Sequence, residues 1–170
     1  MGHIVLVGLM GSGKSTVGAA LAAALGVPLR DSDADIERDT GLTGRDIAAR
    51  DGIDALHALE SRQLLDALDG AGTTVITAAA STLDEPGCRS ALQDPRHLVV
   101  WLKADPAVIA ARLRPDDHRP DLGSDLAEVI ERQAIRRTSA LESVADLTLD
   151  ATESPETLVA TILAYADTVR

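Results

Sequence analysis

The chain contains no phenylalanine, and one tryptophan and one tyrosine are its only large aromatics. Its core must therefore be built from Ala, Val, Leu and Ile, and no aromatic stands out as a platform for a nucleobase. Lysine is nearly missing too, with only Lys14 and Lys103. A single cysteine, Cys88, excludes an internal disulfide, and no Cys/His spacing suits zinc. The acidic stretch "DSDADIERD" lacks the glycine and terminal glutamate of an EF-hand loop. No apolar run is long enough to cross a bilayer, and the first one ends in a glycine loop rather than a cleavage site. Basic residues are outnumbered, 16 against 27, for a net charge of −11. Such a field repels nucleic acid and anionic membrane but not a small anion at a local arginine cluster. A cytoplasmic monomer that binds neither nucleic acid nor membrane is the expectation.

What the chain does have is alternation. The 170 residues fit one compact domain, 45% hydrophobic and 25% charged. Strands are expected at 3–7, 27–30, 73–77, 97–102 and 147–149. Helices are expected at 14–25, 33–40, 44–68 with a break near Asp51-Gly52, 86–93, 106–113, 124–141 and 155–169. Asp105 caps a helix whose first residue is Pro106. The polar Pro/Gly segment 114–123 reads as a loop. Repeated β-α units imply a mainly parallel, three-layer α/β fold. His3, His97 and Trp101 read as structural, Cys88 as a buried inert thiol and His118 as exposed.

The first strand runs into "GLMGSGKST" and then into a helix. Gly8-x-x-x-x-Gly13-Lys14-Ser15 is a complete Walker A pattern in the right context. Glycines let backbone N–H groups turn toward phosphates, and the helix N-terminus adds its positive dipole end. Gly11, Ser12, Gly13, Lys14, Ser15 and Thr16 are the nucleotide-binding candidates. Lys14 should reach the β- and γ-phosphates, and Ser15 should ligand Mg²⁺. In a chain with two lysines, one placed in this loop stands out.

Acids follow the second expected strand in "LRDSDADIE". Asp31 and Asp33, two apart on an extended segment, would project to one side, toward the glycine loop. One would orient Mg²⁺ through water, and the other would accept a proton from an attacking hydroxyl. Ser32 or Asp33 would also serve as the cap of the following helix.

"GLMGSGKST", "DSDADIE", "TGLTGRDIAARDG", "LHALES", "RPDL" and "RRTSALESVAD" together resemble shikimate kinase in order and spacing, over nearly the whole chain. The resemblance implies a P-loop kinase fold, with a five-stranded parallel sheet in the order 2-3-1-4-5 and helices on both faces. It also implies an acceptor-binding region at about 32–62 and a lid at about 114–123. The activity it implies is transfer of the γ-phosphate of ATP, with Mg²⁺, to a hydroxyl of shikimate or a related hydroxylated acid. By the same resemblance Asp31 and Thr77 hold the metal's waters, and Asp33 contacts the acceptor hydroxyl as base. Arg119 contacts the transferred phosphate, Arg112 lies over adenine, and Arg137, beside Arg136, binds the acceptor carboxylate. Glu60 helps to position the acceptor-side arginine.

The departures gather at the acceptor. Leu56-His57 stands where the family has Phe-Arg, and that arginine grips the carboxylate. Ala79, Ala80 and Ser81 replace three glycines, which in the family allow backbone conformations that alanine resists. Leu141 replaces a tyrosine, and "ATESPE" lacks an arginine near adenine. The donor half is kept and the acceptor half is altered, with His57 as the expected acceptor contact. Losing one charge-assisted contact would weaken shikimate by roughly ten- to a hundredfold. A kinase for a different polyol or sugar acid therefore stands beside the leading reading, as does a nucleotide-binding paralogue without kinase activity. A nucleoside monophosphate kinase fits "DSD" and "RPDL" less well.

Overall fold

The structure is a computed structural model and describes residues 2–113 and 126–169. Its strands are β1 (Ile4–Val7), β2 (Leu29–Asp31), β3 (Val75–Thr77), β4 (Leu98–Lys103) and β5 (Leu147–Asp150). They form one five-stranded sheet in the order β2-β3-β1-β4-β5, with every recorded pair parallel. This is the sheet order implied by the resemblance. The helices are α1 (Lys14–Leu25), α2 (Ser32–Thr40), α3 (Gly44–Asp51), α4 (Ile53–Leu68), α5 (Pro86–Leu92), α6 (Pro106–Arg112), α7 (Leu126–Val144) and α8 (Pro155–Thr168).

Period-two alternation splits the core between the two faces of the sheet. Val5 and Val7 of β1 pack with Leu64 and Leu68 of α4, Leu92 of α5 and Leu141 of α7. Ile4 and Leu6 point the other way, against Val17 and Leu21 of α1 and Leu158 and Ile162 of α8. All four β1 residues are buried, as a central parallel strand requires. Trp101 and Cys88 are core residues, as expected, and burial pushes the Cys88 thiol upward in pKa.

Most element boundaries match the expectations to within a residue or two. Helix α1 runs over Lys14–Leu25 and ends at a left-handed Gly26, as read. The break near Asp51-Gly52 separates α3 from α4. Helix α7 continues three residues past its expected end, to Val144. A 3₁₀ turn over Ala80–Asp84 was not expected. The segment 114–123, with His118 and Arg119, lies outside the described residues.

Helices α2, α3 and α4 share a small core of their own, Ile36, Ile47 and Leu56. A polar network ties α2 to α4. Arg30 donates to buried Asp35, to Gln63 at 3.2 Å and to Asp66 at 3.1 Å. Gln63 in turn donates to Asp39 at 2.7 Å. Buried charges survive only when paired in this way.

Candidate active site

Parallel strands put their carboxyl ends on one edge, where open α/β sheets bind ligands. At that edge a cavity of about 1090 Å³ runs from the glycine loop to α4 and α7. Lys14, Ser15 and Thr16 line one end, and His57, Glu60 and Arg137 line the other. Asp31, Asp33 and Thr77 lie on the same wall system.

The donor end follows from local geometry. Gly13 caps α1 with φ +92°, a left-handed conformation that L side chains rarely adopt. The first turn of α1, Lys14, Ser15 and Thr16, thereby lines the cavity, and first-turn N–H groups have no partner within their own helix. Lys14 Nζ donates to the carbonyls of Gly8 at 2.8 Å and Leu9 at 2.9 Å, so its ammonium lies along the loop. Ser12 does not line the cavity. Its side chain is buried, its Oγ has no partner among the described residues, and its N–H donates to Leu9 O at 3.2 Å.

Asp31 and Thr77 meet through sheet register. They are direct neighbours on β2 and β3, and Thr77 Oγ1 donates to Asp31 Oδ2 at 2.6 Å. Asp31 Oδ1 also accepts the Ala34 N–H at 3.2 Å and caps α2. This corrects the sequence reading, in which Ser32 or Asp33 was the cap and both acids sat on extended chain. The helix begins one residue after Asp31, so Asp33 sits in its first turn. There a carboxylate is favoured by the helix dipole. Ser15, Asp31 and Thr77 all offer oxygen donors around one cavity, the ligand chemistry that suits Mg²⁺.

Gly18, a buried residue of α1 behind the site, was not singled out by the motifs. A Cβ there would come within 2.6 Å of Thr77 Cγ2. A glycine inside a helix costs about 1 kcal/mol relative to alanine, and that cost was the available signal. It lets α1 approach the strand that carries Thr77.

The far end of the cavity is organised around Arg137. Arg137 is buried, and Asp84 holds it: Nη2 to Oδ2 at 2.7 Å and Nε to Oδ1 at 3.3 Å. Its Nη1 donates to Gln133 at 3.1 Å, and Arg136 reaches the same Asp84 at 3.3 Å. Burial raises the Asp84 pKa and the Arg137 guanidinium lowers it, with a net shift below the usual carboxylate range. Neither Asp84 nor Gln133 carried a local motif. Asp84 ends the unexpected 3₁₀ turn and meets a residue 53 positions on.

Glu60 accepts a hydrogen bond from Ser81 Oγ and feels the Arg137 charge, while Asp84 and Gln133 hydrogen-bond Arg137 directly. Burial pushes Glu60 up to about 7. His57 is half-buried on the cavity wall, and burial, then the Arg137 charge, lower its pKa. Ala79 and Ala80 also line the cavity. Ala79 has φ −64°, and no described non-glycine residue has a positive φ. The alanines are thus accommodated in relaxed backbone, and the expected conformational conflict does not arise. Leu141 is 1% exposed within the core and is not a wall of this cavity. Arg112 lines the cavity near Leu113 and donates to Ala151 O at 2.8 Å, in the segment "ATESPE".

Comparison with known proteins identifies the family of the chain. The family model for shikimate kinase matches residues 10–167. A shikimate kinase of Ruegeria pomeroyi is 37% identical over 163 residues, covering 95% of this chain and 83% of that protein. One from Thermobifida fusca is 38% identical over 153 residues, covering 89% and 87%. Among solved structures, a shikimate kinase from Acinetobacter baumannii in complex with shikimate superposes with a TM-score of 0.91 at 27% identity, covering 99% of this chain and 94% of that one. The chain belongs to the shikimate kinase family, ATP-dependent phosphotransferases that act on an alcohol group.

Proposed function

We propose that the protein transfers the γ-phosphate of ATP to a hydroxyl of a small polyhydroxylated acceptor, shikimate or a related compound, seated between α2, α4 and the 3₁₀ turn. The observation that carries this reading is the single cavity, with a Walker A loop at one end and Asp33, His57 and Arg137 at the other. Both sets of residues line one cavity, so the reaction needs positioning more than covalent catalysis.

In this mechanism Asp33 accepts the proton of the acceptor hydroxyl. The acceptor oxygen bonds to the γ-phosphorus as the bond to the β-γ bridging oxygen breaks, and ADP leaves with that oxygen. Lys14 and the α1 N-terminus hold the phosphate charge that builds along this path. Ser15 directly, and Asp31 and Thr77 through water, would hold Mg²⁺, which would supply neutralisation of the phosphate charge. Arg112 contacts the adenine side and Arg119 the transferred phosphate, within a lid at about 114–123. Ala79, Ala80, His57 and Arg137 line the acceptor seat. The net charge of −11 supports a monomer without nucleic-acid or membrane partners.

The test is ADP release with Mg·ATP across shikimate, sugar acids, cyclitols and linear polyols. Acceptor-stimulated turnover with at least one of them is expected. Nucleotide binding with no stimulation by any acceptor would overturn the kinase reading.

A further inference from the structure

We propose that Asp84 sets acceptor specificity by occupying Arg137, so that the preferred acceptor is an uncharged polyhydroxylated compound and a carboxylate is disfavoured. This rests on the acceptor seat proposed above.

Asp84 and Arg137 make a two-point ion pair, with side chains only 21% and 7% exposed. That geometry is the one an acceptor carboxylate would make with a free guanidinium. Gln133 engages the third nitrogen of Arg137. The second arginine of the cluster, Arg136, leans on the same carboxylate. An anionic acceptor would therefore have to displace a carboxylate that is already in place and needs no translational entropy to stay there.

The Asp84 backbone is well held. Thr82 Oγ1 donates to Ala79 O at 2.7 Å, and Arg89 Nη1 donates to Leu83 O at 2.6 Å, bracketing the turn. Two cavity arginines are neutralised from behind the wall: Arg136 and Arg137 each pair with Asp84, and Asp33 adds a further carboxylate to the lining. Arg132, also on the wall, is paired with Glu128 at 2.8 Å.

What remains exposed to an acceptor suits hydroxyl groups. A neutral His57 offers one donor and one acceptor nitrogen. A guanidinium has five N–H groups, so each Nη of Arg137 keeps one N–H beyond its bond to Asp84 or Gln133. Hydroxyls both donate and accept, and they bring no charge to be neutralised.

The experiment compares shikimate with two analogues that keep its ring and hydroxyls but carry a carboxamide or a hydroxymethyl in place of the carboxylate. Turnover is read as KM and kcat separately. Affinity for each compound is read by calorimetry in the presence of Mg·ADP, which needs no turnover. The wild type should favour the uncharged analogues by about tenfold or more, the worth of one charge-assisted contact. Asp84→Asn, with Asp84→Ser as a second variant, should tighten shikimate about tenfold. The uncharged analogues should change less than about threefold, a split that a structural defect would not produce. Tighter binding of shikimate than of both analogues by wild type would overturn the proposal, as would equal changes for all three compounds in the variants. If no compound is phosphorylated but Asp84→Asn still tightens shikimate selectively, the kinase reading falls and this inference stands. If wild type phosphorylates shikimate in clear preference to the analogues, the inference falls and the kinase reading stands.

Discussion

The two ends of the cavity are built by different means. The donor end comes from one short segment, residues 8–16, whose conformation follows from its glycines and from the helix it starts. The acceptor end is assembled from four places: Asp33 of α2, His57 and Glu60 of α4, Ser81 and Asp84 of the 3₁₀ turn, and Gln133 with Arg136 and Arg137 of α7. A contiguous loop cannot change one residue without disturbing its backbone. A composite pocket can exchange partners one at a time. Here Glu60 accepts from Ser81, and Arg137 donates to Asp84.

Substitutions separate the two ends most sharply at the donor. Lys14→Ala should lower turnover about a thousandfold on every acceptor, because it removes the cation proposed to hold developing phosphate charge. It should also weaken ATP in calorimetry, with far-ultraviolet circular dichroism unchanged. An effect confined to one acceptor would break the division between the halves.

Asp33→Asn comes next. Loss of a general base should lower kcat about a hundredfold, with KM for the acceptor moving far less. Steady-state kinetics on the best acceptor of the panel give both constants. A kcat within about threefold of wild type would remove Asp33 from proton transfer.

A smaller and selective effect is expected from restoring cationic charge at the acceptor end. His57→Arg combined with Asp84→Asn should improve kcat/KM for shikimate by tens of fold, more than either change alone. ATP affinity should stay put. Simple additivity of the two changes would mean that position 57 and Arg137 do not act on one carboxylate.

The smallest effect concerns stability. Glu60 has an ordinary pKa of 4.5 and is pushed up to about 7, mainly by burial. The folded state therefore holds this proton more tightly than the unfolded chain, and stability falls as pH rises from about 4.5 to 7. The loss should amount to at most about 3 kcal/mol. His97 works the other way. Its pKa is lowered, mainly by burial, so stability is lost as pH falls below the ordinary value of 6.5. Glu60→Gln keeps an acceptor for Ser81 and removes the first slope only. Urea denaturation at pH 5, 6.5 and 8 should show the variant gaining on wild type as pH rises. A constant difference across that range would mean that Glu60 is ionised throughout.

Much of the donor end was legible in the sequence. The Walker A spacing, the Gly26 stop of α1 and the Asp105-Pro106 start of α6 are local signals, each carried by backbone conformation or a missing N–H. Asp31 was found too, but its capping role was assigned to its neighbours. The choice among adjacent cap residues depends on where β2 ends, and sheet pairing sets that point. Gly18 was passed over because its partner, Thr77, is on another element.

The sequence by itself determined the phosphate cradle, the alternating β-α plan and the identity of the charged groups available to the cavity. These depend on glycine conformation, hydrophobic period and composition, which are properties of neighbouring residues. Only the tertiary structure decided which of those charges meet. The bond of Thr77 to Asp31 follows from parallel strand register, and the ion pair of Arg137 with Asp84 follows from packing α7 against a 3₁₀ turn. The worth of such a pair depends on distance and on the water removed around it, and both are set by the fold rather than by order along the chain.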